Sequence, residues 1–233
     1  MGHTGAFAIR RTRSPTDVVN ARTLEQKTAK ADAIASAALS LQREVRFEDW
    51  TVSQVARRAG VAKGTVFLYF ETKEALGLAV AQRLLGDWLD EVDRRLADPS
   101  NNSPAAVAQA IARSLDSRGP LRRTVALIGQ MEHAAGRAAV ERYRTWLLAR
   151  LARTGAGVES SLPFLKAGEG LRLLVLTQAL MVGYHSLAEP TPVVQSVLGR
   201  AELAPLRVDF RKAVAESVWM QLEGLRSSRL SSR

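Results

Sequence analysis

The stretch that most constrains the fold of this chain is residues 51–73, TVSQVARRAGVAKGTVFLYFETK. It begins with Thr51 and has Gln54 three residues later, a pairing typical of the capping box at a helix start. Apolar residues then recur at helical spacing, and Gly60 suits the left-handed conformation that ends many helices. A second short helix is predicted over residues 63–70, after a tight turn.

Two short helices around a tight turn with glycine form the helix-turn-helix pattern, whose second helix can lie in the major groove of DNA. In this second helix, Val66 and Phe70 are predicted to face inward. The other side chains divide between support and an outward face: Lys63, Thr65, Phe67, Leu68 and Tyr69. So short a pattern also occurs by chance. Whether it marks a DNA-binding motif therefore depends on the helices that flank it.

The composition favours an anionic partner and excludes thiol chemistry. The formal net charge of +10 favours nucleic acid, although arginines scattered over the whole chain also fit a compositional bias. There is no cysteine, so disulfides and thiolate metal sites are excluded, and a cytoplasmic location is expected. Hydrophobic residues make up 46% of the 233 residues, which is enough to form a large core.

The most apolar run, residues 171–187, is predicted to be a poor transmembrane span because Arg172, Gln178 and His185 interrupt it. The N-terminus has arginines with no apolar segment after them, so no signal peptide is expected. We therefore expect no membrane partner.

Helical periodicity continues along the chain without competing strand alternation, so the fold class is predicted to be all-α. A long helix is expected over residues 23–43, and a connector helix over residues 72–96 extends well beyond the short helices. Further helices are predicted over residues 104–117, 121–135, 137–154, 170–188, 192–198 and 208–227. This order indicates a helix-turn-helix domain, residues 23–72, followed by the connector and a larger helical domain, residues 73–233.

Residues 1–22 carry four arginines but show no periodicity, and a basic, disordered arm is predicted there. This segment is either a solvated tail or mis-assigned start, or an arm that follows phosphates or enters a minor groove.

The predicted helices over residues 170–188 and 208–227 carry more apolar surface than one helical stripe needs. Pairing both with their counterparts in a second subunit would bury the surplus as a four-helix interface, whereas a purely intrachain core is the alternative. The residues predicted at this dimer interface are Leu171, Leu174, Val175, Gln178, Val182, Phe210, Val214, Val218 and Leu222.

The order of a first helix, a helix-turn-helix, a long connector and an all-α remainder resembles the tetracycline-repressor (TetR) family of transcription regulators. The resemblance covers roughly residues 23–80 and is specific there, whereas the remainder is similar only in length and helix number. It is carried by Thr51-Val52, Val55-Ala56, Ala59-Gly60-Val61, Lys63-Gly64-Thr65-Val66-Phe67, Tyr69-Phe70 and Lys73-Glu74-Ala75-Leu76.

The resemblance implies a homodimer that binds a palindromic DNA operator and represses transcription until a small molecule binds the C-terminal part. The positions it implies at the DNA are Thr51, Ser53, Lys63, Gly64, Thr65, Phe67, Tyr69 and Lys73. Chemically, Lys63 can reach guanine or phosphate and Thr65 a thymine methyl. Tyr69 and Lys73 are better suited to phosphates, which set the register rather than the sequence read.

The sequence departs from the family pattern at four points. Ala62 stands where a capping serine is frequent, which forfeits about 1 kcal/mol of helix stability. Phe67 replaces a common tyrosine and loses a hydroxyl that can bond a phosphate. Arg46 takes the place of a glycine, and a non-glycine residue tolerates a positive φ poorly. Trp50 replaces a frequent threonine.

Signatures of enzymes are thin, because the three histidines have no metal-binding spacing and no nucleotide-binding loop or catalytic-serine motif appears. We expect no catalytic residues, no metal and no cofactor. A small, largely apolar effector is expected between helices of the C-terminal part. The candidate ligand residues, each of which also fits an ordinary core or structural role, are Gln130, Met131, His133, Tyr143, Trp146, Gln178, Met181, Tyr184 and His185.

Two functions therefore remain open. The first is a ligand-released DNA-binding repressor, and the second is an all-α ligand-binding or enzyme-like dimer whose helix-turn-helix no longer binds DNA. The intact Lys63-Gly64-Thr65 and Lys73 favour the first.

Overall fold

The computed structural model describes residues 15–231, with side chains from residue 25 onward. Over this range the chain forms ten α-helices and one 3-10 helix and contains no strand, which confirms the all-α prediction. The α-helices are α1 (Pro15–Glu44), α2 (Val52–Arg58), α3 (Lys63–Tyr69), α4 (Lys73–Leu96), α5 (Pro104–Arg113), α6 (Gly119–Ala134), α7 (Arg137–Ser161), α8 (Glu169–Ala188), α9 (Pro192–Leu198) and α10 (Phe210–Leu230), with the 3-10 helix (Ala201–Leu206) before α10.

We call α1–α3 the head and α4–α10 the body. The head packs around a small core in which Ile34, Val55 and Val66, one from each helix, are almost fully buried. Helix α1 begins at Pro15 rather than at residue 23, so the last part of the predicted disordered arm is helical. Residues 1–14 of that arm lie outside the described residues.

Helix α4 joins the head to the body and agrees with the predicted connector helix. Its 24 residues span about 36 Å at 1.5 Å per residue. Thr72 caps its first turn by accepting a hydrogen bond from the backbone N–H of Ala75 at 2.9 Å. Buried side chains occur along its whole length because α1, α5, α6 and α7 all pack against it. A movement in the body can therefore be transmitted to the head through one continuous helix.

Helix α7 is longer than predicted, because it continues through Gly155 to Ser161 instead of ending at residue 154. The glycines there serve a close helix crossing. A Cβ at Gly155 would lie 2.8 Å from the carbonyl carbon of Gly170 in α8, and a Cβ at Gly170 would lie equally close to that of Gly155. Glycine is needed on both helices because their backbones touch.

Other boundaries differ for local reasons. The helix predicted over residues 104–117 ends at Arg113, and Ser117 in the following turn has a φ of 58°, which a helix cannot accommodate. Helix α10 begins at Phe210 because the carboxylate of Asp209 accepts a hydrogen bond from the N–H of Lys212 at 2.9 Å. The 3-10 helix was not predicted.

The predicted dimer contacts require correction. The side chains of Leu174, Phe210, Val214, Val218 and Leu222 are buried in the core of their own chain, since α8 and α10 pack against each other and against α5, α6 and α7. These five side chains are therefore unavailable to a second subunit. Of the predicted set, Leu171 and Gln178 are half-buried, and only Val175 and Val182 are exposed.

Helix α8 is the one helix in the described part of the chain that is long and apolar enough to cross a membrane. Its length and composition are weak grounds for such a role, since one of its faces packs in the helical body beside α6, α7 and α10.

Candidate nucleic-acid interface

Helix α2 is fixed in the head by its cap and by its apolar face. The hydroxyl of Thr51 accepts a hydrogen bond from the N–H of Gln54 at 3.3 Å, and the Gln54 side chain accepts one from the N–H of Thr51 at 2.7 Å. This reciprocal pair confirms the predicted capping box. At the other end, Arg58 donates two hydrogen bonds to Glu44 of α1, at 2.9 and 2.7 Å. The helix is thus held at both ends.

The turn into α3 uses Gly60, whose φ of +65° confirms the predicted left-handed conformation. Helix α3 is anchored inward by Val66, which is 1% exposed, with Phe70 partly buried behind it. Ala62 at the N-cap has no side-chain oxygen to bond the first turn, as expected from the sequence. The face opposite Val66 is therefore left to solvent.

The predicted DNA-facing residues lie at the starts of three successive helices and along α3. Thr51 and Ser53 are at the start of α2, and Lys73 is at the start of α4. Those exposed to solvent are Thr51, Ser53, Lys63, Gly64 and Phe67, and those half-buried are Thr65, Tyr69 and Lys73.

Lys73 has a structural role that its sequence position does not indicate. Its ammonium donates a hydrogen bond to the carbonyl of Glu48 at 3.1 Å. It also lies 4.7 Å from the ring centre of Phe47 and 5.1 Å from that of Trp50, within the range of cation–π attraction. Because an ammonium has three N–H donors, two remain for a phosphate.

Two exposed residues beside the predicted set extend the candidate interface. Leu68 is 84% exposed and lies four residues after Gly64, so both are on the same face of α3. Its helical spacing from Gly64 is the signal that could have identified it. Arg57 is exposed at the end of α2 and has no ion-pair partner in the described range, unlike its neighbour Arg58.

Two of the departures from the family pattern, Arg46 and Trp50, can be compared with the structure of the head. Among the described non-glycine residues, only Ser117 has a positive φ, so Arg46 does not occupy the conformation that would favour glycine. Trp50 is 1% exposed and packs edge-on against Phe47, with ring centres 5.2 Å apart. The large aromatic side chain thus closes the base of the head core.

The nine candidate ligand residues differ widely in exposure. Gln130 and His133 are exposed to solvent on α6, whereas Met131, Tyr143 and Met181 are buried in the packed core. The partly buried residues are Trp146, Gln178, Tyr184 and His185.

Two of these residues carry buried polar atoms with no partner among residues 25–231: the hydroxyl of Tyr143 and the side-chain nitrogen of Gln178. Burial, and then the charge of Glu132, raise the pKa of Tyr143 far above its usual value, so this hydroxyl stays protonated and can donate. Tyr184, by contrast, shares a hydrogen bond of 2.8 Å with Ser217. The part of the chain with described side chains has no group of three or more acidic or histidine side chains that could hold a metal ion.

Comparison with known proteins gives two family matches that together span most of the chain. Residues 34–80 match the bacterial regulatory proteins of the tetR family. Residues 82–229 match the tetracyclin repressor-like C-terminal domain.

Two individual relatives each match about a third of the chain. The uncharacterized HTH-type transcriptional regulator YvdT of Bacillus subtilis is 36% identical over 72 residues, 31% of this chain and 37% of that protein. The HTH-type transcriptional regulator BetI of Serratia proteamaculans is 38% identical over 78 residues, 34% of this chain and 39% of that protein. The chain thus matches less than two fifths of the length of these curated relatives.

The whole fold has counterparts among solved structures. A putative transcriptional regulator from Rhodococcus sp. RHA1 superimposes with a TM-score of 0.56 over 83% of this chain and 95% of that chain, at 18% sequence identity. This likeness concerns the fold alone. Together with the two matches that cover residues 34–80 and 82–229, it leads to one conclusion: the chain belongs to the TetR family of bacterial regulatory proteins.

Proposed function

We propose that this protein is a homodimeric, sequence-specific DNA-binding regulator that represses transcription in the cytoplasm until a small effector binds its body. The observation that carries the proposal is the outward face of α3, where Lys63, Gly64 and Leu68 are exposed opposite the buried anchor Val66. The relatives named above are regulators rather than enzymes. The domain boundary that we propose lies at Thr72, the N-cap of α4.

The proposed operator contacts rest on the helix position and chemistry of each side chain. Lys63 at the first turn of α3 is free to approach a guanine edge or a phosphate, and Thr65 and Phe67 lie further along the same short helix. Tyr69 and Lys73 are placed to bond the flanking phosphates, which orient the head but carry no sequence information. A symmetric dimer presents two such heads, so the operator is palindromic.

The dimer forms through the outer faces of α8 and α10. On α8 the exposed apolar side chains recur at helical spacing in two adjacent stripes, Val175 with Val182 and Leu176 with Leu187, and on α10 the neighbouring Trp219 and Met220 are exposed. So large an apolar surface on two neighbouring helices is typical of a subunit interface. The four-helix arrangement predicted from the sequence is retained, with a different set of contacting residues.

The effector is proposed to be small and largely apolar, and to bind among α6, α7 and α8. The hydroxyl of Tyr143 and the amide nitrogen of Gln178, both buried without a hydrogen-bond partner within residues 25–231, support this position, because each is a donor that a ligand acceptor would satisfy. Such a ligand releases DNA by binding more tightly to a body arrangement that spaces the two heads differently.

Selection of binding sites from random duplex DNA tests the proposal, followed by affinity measurements on the selected duplex over a range of salt concentrations. We expect a palindrome and a steep loss of affinity with salt, because phosphate contacts release counterions. The variant Lys63→Ala should lower affinity by about 1–3 kcal/mol. Lys166→Ala is the matched control, since Lys166 is exposed in the turn between α7 and α8, away from the head.

Failure to enrich any palindrome would contradict the proposal. Unchanged DNA affinity in the double variant Lys63→Ala, Tyr69→Ala would instead favour a ligand-binding or enzyme-like dimer whose head does not bind DNA.

A further inference from the structure

Helix α6 lies at the junction between head and body. The side-chain amide of Gln42, near the end of α1, donates a hydrogen bond to the hydroxyl of Thr124. That hydroxyl in turn donates to the carbonyl of Pro120 at 2.7 Å. A polar chain thus runs from the head into the first turns of α6.

Beside this chain are two adjoining hollows, with volumes of about 160 and 280 Å³. They share four lining residues, of which Gln42 and Arg46 belong to the head side, and Arg123 and His185 to the body. We call this shared space the junction cavity. The smaller hollow also has apolar walls, including Phe47.

The two hollows are lined by three arginines (Arg43, Arg46 and Arg123) and three carboxylates (Glu44, Glu48 and Glu189). Each carboxylate already has a cationic partner: Glu189 pairs with Arg122 at 2.6 Å, Glu44 with Arg58 at 2.7 Å, and Glu48 faces Arg46 at 3.7 Å. Arg43 and Arg123 have no ion-pair partner among residues 25–231. The pKa of His185 is lowered, first by burial and further by the charges of three arginines (Arg122, Arg123 and Arg46), against the opposite effect of Glu189. The histidine is therefore neutral at pH 7, and the charges that no carboxylate neutralises belong to the guanidinium groups of Arg123 and Arg43.

Two polar atoms at this cavity are buried without a partner in the described part of the chain. One is the side-chain oxygen of Gln42, a residue only 6% exposed, whose nitrogen is already used by Thr124. The other is Nδ1 of His185, which has no hydrogen bond but lies 3.6 Å from Oε1 of Glu189. A buried acceptor with no donor costs about 1–3 kcal/mol, so Gln42 calls for a ligand or water that donates a hydrogen bond.

We propose that the junction cavity binds a small organic carboxylate that also carries a hydrogen-bond donor, as a hydroxy acid does. The carboxylate pairs with Arg123 and Arg46, and the donor group bonds the free oxygen of Gln42. A short apolar part fits against Phe47 and Leu127 in the smaller hollow. Inorganic phosphate offers no apolar part, and a plain fatty acid offers no donor.

The ligand would connect the head to the body, since Arg46 and Gln42 lie on one side and Arg123 and His185 on the other. We infer that its binding changes the orientation of the head and hence the affinity for DNA. This second step rests on the proposed function, whereas ligand binding itself does not. Its lining from α1 and the loop after α1 distinguishes this site from the proposed effector position, although α6 and α8 border both.

Isothermal titration calorimetry on the full-length protein at pH 7 and constant ionic strength tests the site with three probes: sodium lactate, sodium propanoate and sodium phosphate. Lactate should bind, and propanoate should bind about fivefold more weakly because it lacks the hydroxyl that reaches Gln42. Phosphate should bind about tenfold more weakly than lactate because it has no apolar part. Phosphate binding as tightly as lactate, or no binding of any probe, would overturn the proposal.

Two variants locate the site. Arg123→Met should weaken lactate binding about tenfold through loss of a charge-assisted hydrogen bond. Arg142→Met is the matched control, because Arg142 is an exposed arginine on α7 that has no ion pair within residues 25–231. Gln42→Leu should remove the preference for lactate over propanoate. A preference that persists would overturn the role of Gln42, and equal lactate binding by Arg123→Met and the native chain would overturn the site.

The coupling to DNA is tested separately. Lactate at saturation should change the affinity for the selected operator at least about threefold in the native chain and leave it unchanged in Arg123→Met. No change in the native chain, with calorimetric binding intact, would overturn the coupling and leave the carboxylate site standing. Failure to bind any operator would count against the proposed function alone.

Discussion

The outer face of α3 and the outer faces of α8 and α10 are both exposed, but they differ in chemistry. On α3 the exposed set mixes a cation, a glycine and two apolar side chains: Lys63, Gly64, Phe67 and Leu68. On α8 and α10 the exposed set includes several large apolar side chains, among them Val175, Val182 and Trp219. A mixed face suits the edges and phosphates of DNA, whereas apolar stripes suit a second copy of the same surface.

The two regions also differ in how they are held. The head is maintained by local devices, such as the Thr51–Gln54 capping box and the turn at Gly60. The body is maintained by contacts between helices far apart in sequence, such as α4 with α7 and α5 with α10. Changes to exposed residues of the head should therefore affect binding more than stability, whereas buried body residues should affect both.

The largest expected effect is on the dimer. Val182→Asp places a charge in the apolar interface that we propose, in both subunits, and should weaken dimerisation about a hundredfold or more because the buried carboxylate has no partner. Sedimentation equilibrium measures the change. Leu148→Asp is the control, since Leu148 is 60% exposed on α7 instead. A dimer as stable in Val182→Asp as in the control would contradict the interface.

The next effect concerns the junction of head and body. A Cβ at Gly77 of α4 would lie 2.6 Å from the ring of Phe47 in the head and 2.8 Å from Sδ of Met131 in the body. Gly77→Ala should therefore lower the free energy of unfolding by about 1–3 kcal/mol through overpacking.

Gly86→Ala, in the same helix, is the matched control for this clash. Its Cβ would make an ordinary contact of 3.6 Å with Trp146, so the change should raise the free energy of unfolding by about 0.5–1 kcal/mol. Urea denaturation measures both variants. Equal stabilisation by the two substitutions would contradict the expected clash and show that the side chains of Phe47 and Met131 move aside at little cost.

A smaller effect is expected at the candidate DNA face. Leu68→Asp should reduce DNA affinity about tenfold, because a carboxylate on α3 is repelled by phosphates. Its unfolding free energy should change by less than about 0.5 kcal/mol, since an exposed side chain contributes little to folding. Fluorescence anisotropy with the selected duplex measures the loss, again with Leu148→Asp as the matched control. Equal affinity in both variants would place Leu68 away from DNA.

The smallest effect is a gain. Ala62→Ser supplies the missing N-cap oxygen of α3 and should raise the free energy of unfolding by about 0.5–1 kcal/mol. Ala152→Ser, at an exposed position inside α7, is the control and should lower it by a few tenths of a kcal/mol, about the difference in helix propensity. Thermal unfolding followed by circular dichroism distinguishes the two. A gain at both positions would exclude capping as the cause.

Much of the head could be predicted because its determinants are close in sequence. The inward positions of Val66 and Phe70 and the left-handed Gly60 follow from spacing within a few residues. The spacing leaves open whether Leu68 supports the head or faces outward, because spacing alone does not say how far a neighbouring helix covers it. The sequence predicts only a phosphate contact for Lys73. Its contact with Phe47 and Trp50 is not predicted, because these two residues lie in the loop before α2, far from Lys73 in sequence.

The amino-acid sequence by itself determined the helical class, the helix-turn-helix, the connector and the family, since each depends on periodicity, caps and short-range spacing. The tertiary structure decided which apolar faces of α8 and α10 remain outside, and it brought Gly155 against Gly170 so that α7 continues to Ser161. It also brought Gln42 and Arg123 to one cavity. These features depend on helices distant in sequence, and side-chain volume at their crossings, rather than local propensity, determines which surfaces meet.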